Sequence, residues 1–203
     1  MNSYNLSNYF KKGLLIILAG CLIGVGVGII LYANIGGDTI TVFQDGMHSS
    51  LNISYGQASR LYNVVLIIIA LIFARKYFGL GTIISALITG YAIDFTFNLL
   101  SATNINTNFI IALLVFLIGQ TIYALALSIL ISCKLGMNSL DSIIYKLMEH
   151  IKIDYKIIRF VADLILTLIG YFLGGVVGIG TVISIMSTGW MIDTFVKLKG
   201  EKE

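Results

Sequence analysis

Polar and ionisable side chains recur inside apolar stretches of this sequence at helical spacing. Arg159 and Asp163 are four residues apart, so on a helix they share one face and can form an ion pair. Arg60 and Asn63 hold a similar place about one hundred positions earlier (163 − 63 = 100), with an amide in place of the carboxylate. A carboxylate among apolar residues pairs with a cation of the chain, or binds an ion or proton from outside it. Both interpretations are open for Asp163.

Two more aspartates, Asp94 and Asp193, end a block that the chain contains twice. Residues 79–94 read GLGTIISALITGYAID and residues 178–193 read GIGTVISIMSTGWMID, with nine of the sixteen positions identical. Each aspartate could bind an ion near the end of a membrane helix, or could cap or snorkel there as a structural residue. A threonine follows the paired glycines of each copy, where it can bond carbonyl groups of locally unwound backbone. These threonines are Thr82 and Thr181.

The composition predicts that membrane helices position these side chains. Hydrophobic residues make up 58% of the chain and charged residues only 11%, whereas soluble proteins contain about 25% charged residues. Crossing the hydrocarbon core of a bilayer takes about 20 helical residues, and six apolar stretches approach that length. They lie near Gly13–Tyr32, Gln57–Phe73, Leu80–Leu100, Phe109–Ser132, Ile157–Leu173 and Gly180–Val196.

The basic residues predict the orientation of these six spans. Placing both termini in the cytoplasm puts twelve of the thirteen Lys and Arg residues on the cytoplasmic side, in accord with the positive-inside rule. Only Arg60 then lies near the outer end of a helix. We therefore predict a multi-pass protein, surrounded by the lipid bilayer, with both termini cytoplasmic.

The duplicated block indicates an internal repeat of about half the chain. The match continues upstream, where Ile35–Ile40 aligns with Leu135–Leu140 at a spacing of one hundred (135 − 35 = 100). Repeat one covers about residues 13–100 and repeat two about 109–198, within a single membrane domain of residues 1–203. Each repeat contains three spans, and an odd number makes the second repeat enter the membrane from the opposite side. The predicted fold is an all-α membrane protein of two inverted three-helix repeats.

A short amphipathic helix is predicted between the first and second spans of each repeat. In Asn138–Ile151 the apolar residues recur at helical spacing, while polar residues such as Asp141 take the other face. Both helices begin with side chains suited to capping. These are Asp38 and Thr39 in repeat one and Asn138 and Ser139 in repeat two. Such a helix could lie flat on the membrane, or could enter it as a re-entrant segment whose free N–H groups would suit an anion.

These same segments resemble a known family. GGDTITVFQDGMHSSLNISYGQASRLYN and RKYFGLGTIISALITGYAID are similar to sequences of the YczE/YyaS/YitT group of small bacterial membrane proteins. The segment Gly136–Asp141 resembles that group's LG-x-x-P-W-D segment, although this chain has no proline and has Leu140 in place of the tryptophan. The resemblance covers nearly the whole chain. It implies a six-helix protein of the bacterial inner membrane and assigns no substrate.

Three classes of function fit these features. An inverted repeat with mirrored polar residues favours a small transporter or exporter of a small solute, with an anion as one candidate. A substrate-binding membrane subunit of a vitamin-uptake system and a non-transporting assembly or regulatory protein are the alternatives. The candidate solute-binding or ion-binding residues are Asp38, Thr39, Asn63, Thr82, Asp94, Asn138, Ser139, Asp141, Arg159, Asp163, Thr181 and Asp193.

Several other activities are not expected from this sequence. It contains no phosphate loop, zinc signature or serine elbow, so we expect no enzymatic activity, no cofactor and no bound metal. The net charge of +3 is explained by membrane orientation, so nucleic-acid binding is not expected either. The sequence does not distinguish a monomer from an oligomer.

Overall fold

The described part of the chain forms a bundle of eight helices. The computed structural model describes residues 3–75, 79–103, 108–133 and 139–198, and within these ranges it contains no β-strand. The helices are α1 Ser3–Ala33, α2 Thr39–Leu51, α3 Tyr55–Phe73, α4 Leu80–Ser101, α5 Phe109–Ser132, α6 Ser139–Ile151, α7 Tyr155–Phe172 and α8 Ile179–Leu198.

Five of these helices contain segments long and apolar enough to cross a membrane. They are Lys11–Ala33, Tyr55–Phe73, Gly81–Ser101, Phe109–Ser132 and Ile179–Leu198. These segments match five of the six spans predicted from the sequence. The remaining predicted span corresponds to α7, an 18-residue helix. It contains three charged residues, whereas each of the other five apolar segments contains at most two.

The outer surface of the bundle is apolar, as contact with lipid requires. Large hydrophobic side chains are widely exposed, among them Phe172 at 82% and Met186 at 78%. Soluble monomers rarely expose such continuous apolar surface, because it would remain in contact with water. We conclude that the chain is a membrane-embedded helical protein.

Helix α1 lies at the centre and packs closely on α4 and α5. Gly20 lies against Ser85 of α4, and Gly28 lies against Thr96 further along the same helix, so α1 and α4 run in the same direction. Gly26 lies against the backbone of Gly119 on α5. The glycines of α1 therefore let both neighbouring helices approach closely.

Helix α8 packs on α5 in the same way that α4 packs on α1. Gly180 lies against Phe116, and Ser184 donates a hydrogen bond to Gln120, so α5 and α8 run in the same direction. In contrast, α3 and α4 run in opposite directions, because Gly56 meets Asp94 and Arg60 meets Gly90.

Helix α2 lies inside the bundle rather than across one of its ends. Thr39 at its start meets Asp163 in the middle of α7, and Gly46 meets Gly170 near the end of α7. Helix α2 thus runs beside the second half of α7, in the same direction. This placement favours the re-entrant arrangement over the flat one. We call the end of the bundle where α1 and α7 end the Gly36 end, and the opposite end, where α8 finishes, the Lys197 end.

Helix α6 has the amphipathic character that its sequence predicts. Its buried residues are Ser139, Leu140, Ser142 and Ile144, and they face α3 and α7. Its exposed side includes Leu147 and the ion pair between Lys146 and Glu149. The predicted capping residue Asn138 lies outside the described residues.

Candidate functional site

A large cavity of about 950 Å³ opens between α7 and α8. These two helices hardly touch each other along their described lengths. The start of α2, one face of α5 and residues of α6 complete the wall of the cavity. Four charged side chains line it. They are Asp38, Asp141, Arg159 and Asp163.

Arg159 holds two of the three carboxylates of this large cavity. Its Nε donates to Oδ2 of Asp163 over 3.0 Å, and its Nη1 donates to Oδ1 of Asp141. The ion pair predicted from the spacing of Arg159 and Asp163 is therefore confirmed. Asp141, which the sequence placed on α6, joins the pair from a second helix. All three side chains are about one quarter exposed, at 28% for Arg159 and 26% for each aspartate.

Neutral donors on α2 and α7 also bind the same two carboxylates. Thr39 at the start of α2 donates from Oγ1 to Oδ1 of Asp163 over 2.9 Å. The hydroxyl of Tyr155, the first residue of α7, donates to Oδ1 of Asp141 over 2.8 Å. Helices α2, α6 and α7 are thus tied together around Arg159. A movement of α7 relative to α2 or α6 would have to break this network.

Asp38 is the third carboxylate of the large cavity, and it has no basic partner among the described residues. It caps α2, because its Oδ1 accepts hydrogen bonds from the backbone N–H and the hydroxyl of Thr41. Its Oδ2 accepts a hydrogen bond from the hydroxyl of Tyr123 over 3.2 Å. The predicted capping role is confirmed. Among the described residues the lining contains three carboxylates and one guanidinium, a formal charge of −2 (1 − 3 = −2).

Asp94 lies outside the large cavity and joins α4 to the start of α3 through hydrogen bonds. Its carboxylate accepts hydrogen bonds from the hydroxyl of Ser54 over 2.9 Å and from the backbone N–H of Gly56 over 2.7 Å. Arg60 approaches the same carboxylate at 3.4 Å. Backbones approach closely here, and a Cβ on Gly90 would lie 2.8 Å from the carbonyl oxygen of Gly56. Asp94 is accordingly a structural residue of a closed helix pair.

Asp193, at the corresponding place of the second block, makes no such contact. It pairs with Lys197 four residues later on the exposed surface of α8, over 2.7 Å. Gly189 of the same block has nothing within 4 Å of its Cβ position. The two copies of the block therefore have different surroundings. Helices α3 and α4 are closed on each other, whereas α7 and α8 stand apart around the large cavity.

The remaining predicted residues fall in three other places. Asn63 and Thr82 line a small cavity of about 90 Å³ between α1, α2, α3, α4 and α5. Thr181 accepts a hydrogen bond from the N–H of Gly178 over 3.3 Å, so it shapes the first turn of α8 beside Gly36. Ser139 is buried at the start of α6, and its hydroxyl has no hydrogen-bond partner in the described part of the chain.

Sequence reasoning missed two polar residues of α5. Tyr123 donates to Asp38 and lines both cavities. Gln120 donates to the hydroxyl of Thr188 over 2.6 Å and so ties α5 to α8. The signal that could have found them is a hydrogen-bonding side chain inside a membrane span, since such groups seldom face lipid.

Comparison with known proteins identifies relatives but no activity. The sequence pattern of the family of unknown function DUF6198 matches residues 10–197. An uncharacterized protein of Haemophilus influenzae is 23% identical over 189 residues, which cover 93% of this chain and 85% of the relative. The uncharacterized membrane protein YczE of Bacillus subtilis is 24% identical over 152 residues, covering 73% of this chain and 69% of YczE. No solved structure gives a significant match. These findings confirm the resemblance to YczE-like small membrane proteins.

Proposed function

We propose that this chain, which belongs to the DUF6198 family, is a small membrane transporter whose solute binds in the large cavity. The observation that carries the proposal is the contrast between two helix pairs of a duplicated sequence. Helices α3 and α4 are closed around Asp94, while α7 and α8 are separated by a cavity of about 950 Å³. A duplicated protein with one half closed and the other half open has the structure expected of an alternating-access transporter.

The proposed architecture is two inverted repeats of three spans each. Support comes from the matched directions of α1 with α4 and of α5 with α8, which hold equivalent positions in the two halves of the chain. This arrangement requires α7 to be the sixth span. The charges of Arg159 and Asp163 do not oppose that role, because both side chains line the cavity rather than the lipid-facing surface.

Exchange of the two arrangements would carry a solute across the membrane. In the second state α8 closes on α7 through Gly189, as α4 now closes on α3 through Gly90. Helices α3 and α4 separate in turn and open the opposite side. Such rocking of one repeat against the other around a central site is the usual mechanism of transporters built from inverted repeats.

The lining of the large cavity favours a small solute that carries a positive charge. Its formal charge is −2, and Asp38 has neutral donors but no cationic partner in the described residues. Tyr145 and Tyr155 add aromatic rings that can contact an organic cation. The N-terminus of α2 would favour an anion, but the carboxylate of Asp38 already caps it. We therefore propose an amine or another organic cation as the solute.

The first prediction concerns Asp38 and the charge of the solute. A thermal-shift screen of the purified protein should find stabilising compounds among amines and quaternary ammonium ions, since a ligand of the folded state raises the melting temperature. Asp38→Asn should weaken the response at least about tenfold, because it removes a charge-assisted contact worth about 1.5–3 kcal/mol. The fold should survive, since asparagine caps helices as well as aspartate does.

Asp193→Asn is the matched control for this experiment. It makes the same chemical change on the exposed surface of α8, outside the large cavity, so it should leave the ligand response unchanged. A screen in which only anions stabilise the protein would contradict the proposed solute class. An unchanged response in Asp38→Asn would contradict the proposed site.

The second prediction is the orientation in the bacterial inner membrane. With both termini cytoplasmic, the Gly36 end faces outward, and exposed Ser50 at the end of α2 is external. After replacement of Cys21 and Cys133, a cysteine at Ser50 should react with an impermeant maleimide in intact cells. A cysteine at exposed Lys152 should react only after the cells are opened. Labelling of Lys152→Cys in intact cells would contradict the proposed inverted arrangement.

A further inference from the structure

A second, smaller cavity with both apolar and polar lining residues lies next to the site proposed for the solute. It measures about 90 Å³ and lies between α1, α2, α3, α4 and α5. Hydroxyl and amide side chains supply its polar lining, and no Asp, Glu, Lys, Arg or His is among the described residues that line it. Four residues belong to both linings and form a wall between the small cavity and the large one. They are Ile40, Tyr123, Leu127 and Leu130.

Several polar lining groups donate hydrogen bonds to backbone carbonyls. Ser85 donates to the carbonyl of Thr82 over 3.2 Å, and Thr89 donates to the carbonyl of Gly20 over 3.1 Å. The side-chain amide of Asn63 donates to the carbonyl of Ser59 over 2.9 Å. All three groups still offer oxygen lone pairs, and Asn63 also keeps one N–H. They are therefore suited to a ligand that accepts electron density, such as a cation.

Two hydroxyl groups in the lining of the small cavity have no partner at all among the described residues. They are Oγ of Ser59, whose residue is 1% exposed, and the hydroxyl of Tyr62, whose residue is 6% exposed. A buried polar group without a hydrogen bond is costly, and native proteins contain few of them unless a water or an ion satisfies the group. These two groups therefore require a bound water or ion in this cavity.

Size and donor chemistry select the kind of ligand. A space of about 90 Å³ corresponds to about three water molecules, so it admits a small ion with one or two waters and excludes most organic solutes. Oxygen donors suit hard cations, while divalent ions are held in proteins mainly by carboxylates, which this lining lacks. Asp38 accepts a hydrogen bond from the lining residue Thr41. The lining residue Tyr62 interacts electrostatically with one guanidinium, that of Arg159, and with three carboxylates. These carboxylates are those of Asp38, Asp141 and Asp163. A single positive charge fits these surroundings.

We propose that the small cavity binds one sodium ion through hydroxyl and amide oxygens that include those of Ser59, Tyr62 and Asn63. The ion would satisfy the two unpartnered hydroxyl groups. It would also lie on the other side of Tyr123 from Asp38. Its binding would therefore change the affinity of the large cavity for the solute. Two ligands coupled in this way change each other's affinity by the same factor.

The test is the stability of the purified protein in different salts at constant ionic strength. Sodium chloride should raise the melting temperature by a few degrees over N-methyl-glucamine chloride, and the rise should saturate with sodium concentration. Tyr62→Phe and Ser59→Ala should each weaken the apparent sodium affinity at least tenfold. Tyr171→Phe, at a site that is 59% exposed, is the matched control and should keep the wild-type response.

A cavity that holds only water gives a different pattern. Removal of either hydroxyl would then change the melting temperature by the same amount in both salts. Equal melting temperatures of the wild-type protein in the two salts would overturn the proposal, and so would a full sodium response in both cavity variants. If either variant fails to fold, equilibrium binding of radioactive sodium to the wild-type protein decides, with one ion per chain expected.

Different experiments test this proposal and the proposed transport function. The sodium response is measured without any solute, whereas the Asp38→Asn experiment measures the response to amines. A sodium response without any solute response would support the sodium site and contradict the proposed transport function. A solute response without any sodium response would contradict only the sodium site.

Discussion

Gly189→Leu should yield a folded protein that no longer transports, whereas Gly90→Leu should fail to fold stably. At Gly90 the backbones of α3 and α4 are in contact, and a Cβ there would lie 2.5 Å from Cγ of Arg60 and 2.8 Å from the carbonyl oxygen of Gly56. A leucine would force the two helices apart. Overpacking of this kind costs about 1–3 kcal/mol or more, and it would also disturb the hydrogen bonds of Asp94.

At Gly189 the same substitution meets open space. Nothing lies within 4 Å of a Cβ built there, and the residue lines the large cavity. The fold of the state described here should therefore tolerate leucine. Closure of α8 on α7 should not tolerate it, because the proposed second state brings Gly189 into the contact that Gly90 now makes. Transport should be lost while the melting temperature changes little.

The experiment compares these two variants with Gly13→Leu, a glycine that also has nothing within 4 Å but lies far from the contact between α7 and α8. Melting temperature and gel-filtration profile report folding, and uptake into proteoliposomes of the solute found in the thermal-shift screen reports transport. Gly13→Leu should retain both. Wild-type uptake by Gly189→Leu would show that α7 and α8 do not need to close.

The different surroundings of Gly90 and Gly189 could not be predicted from the repeated block alone. The two copies share nine of their sixteen residues, so the difference comes from the helix that each copy faces. Asp94 meets Ser54, Gly56 and Arg60 at the start of α3. One hundred positions later the sequence has Asp154, Lys156 and Phe160. An aspartate and a phenylalanine cannot pair with Asp193 as serine and arginine pair with Asp94.

Local patterns were sufficient for the helices and for contacts within one helix. Apolar runs predicted five spans that the structure bears out, and the spacing of Arg159 and Asp163 predicted their ion pair. Contacts between distant residues were not predictable, because they depend on how the helices pack. The bonds from Thr39 to Asp163 and from Tyr123 to Asp38 join residues 124 and 85 positions apart. These long-range contacts are what turn separate polar residues into one site.

Arg159→Gln should be the most destabilising charge change in the large cavity. It leaves two carboxylates, Asp141 and Asp163, without their cation inside the bundle. Removing one partner of a fully buried ion pair costs about 3–5 kcal/mol. These side chains keep about a quarter of their exposure, so screening reduces the cost, and we expect a loss of about 2–3 kcal/mol. Chemical denaturation in detergent measures it.

Second-site changes distinguish a structural ion pair from a coupling carboxylate. If Asp163 serves only to pair with Arg159, then Arg159→Gln/Asp163→Asn should recover part of the lost stability, since the added change removes one of the uncompensated charges. Adding Asp141→Asn should recover most of the remainder. Asp163→Asn alone should cost less, because Arg159 keeps its contact with Asp141.

A coupling role predicts a different outcome for the same Asp163→Asn protein. The variant gives α7 the amide that Asn63 supplies in α3, so it should remain folded and lose its response to amines or to sodium. Melting temperature and ligand response measured on the same samples separate the two roles. A stable Asp163→Asn protein with wild-type responses to both ligands would eliminate the coupling role and leave Asp38 as the carboxylate on which solute binding depends.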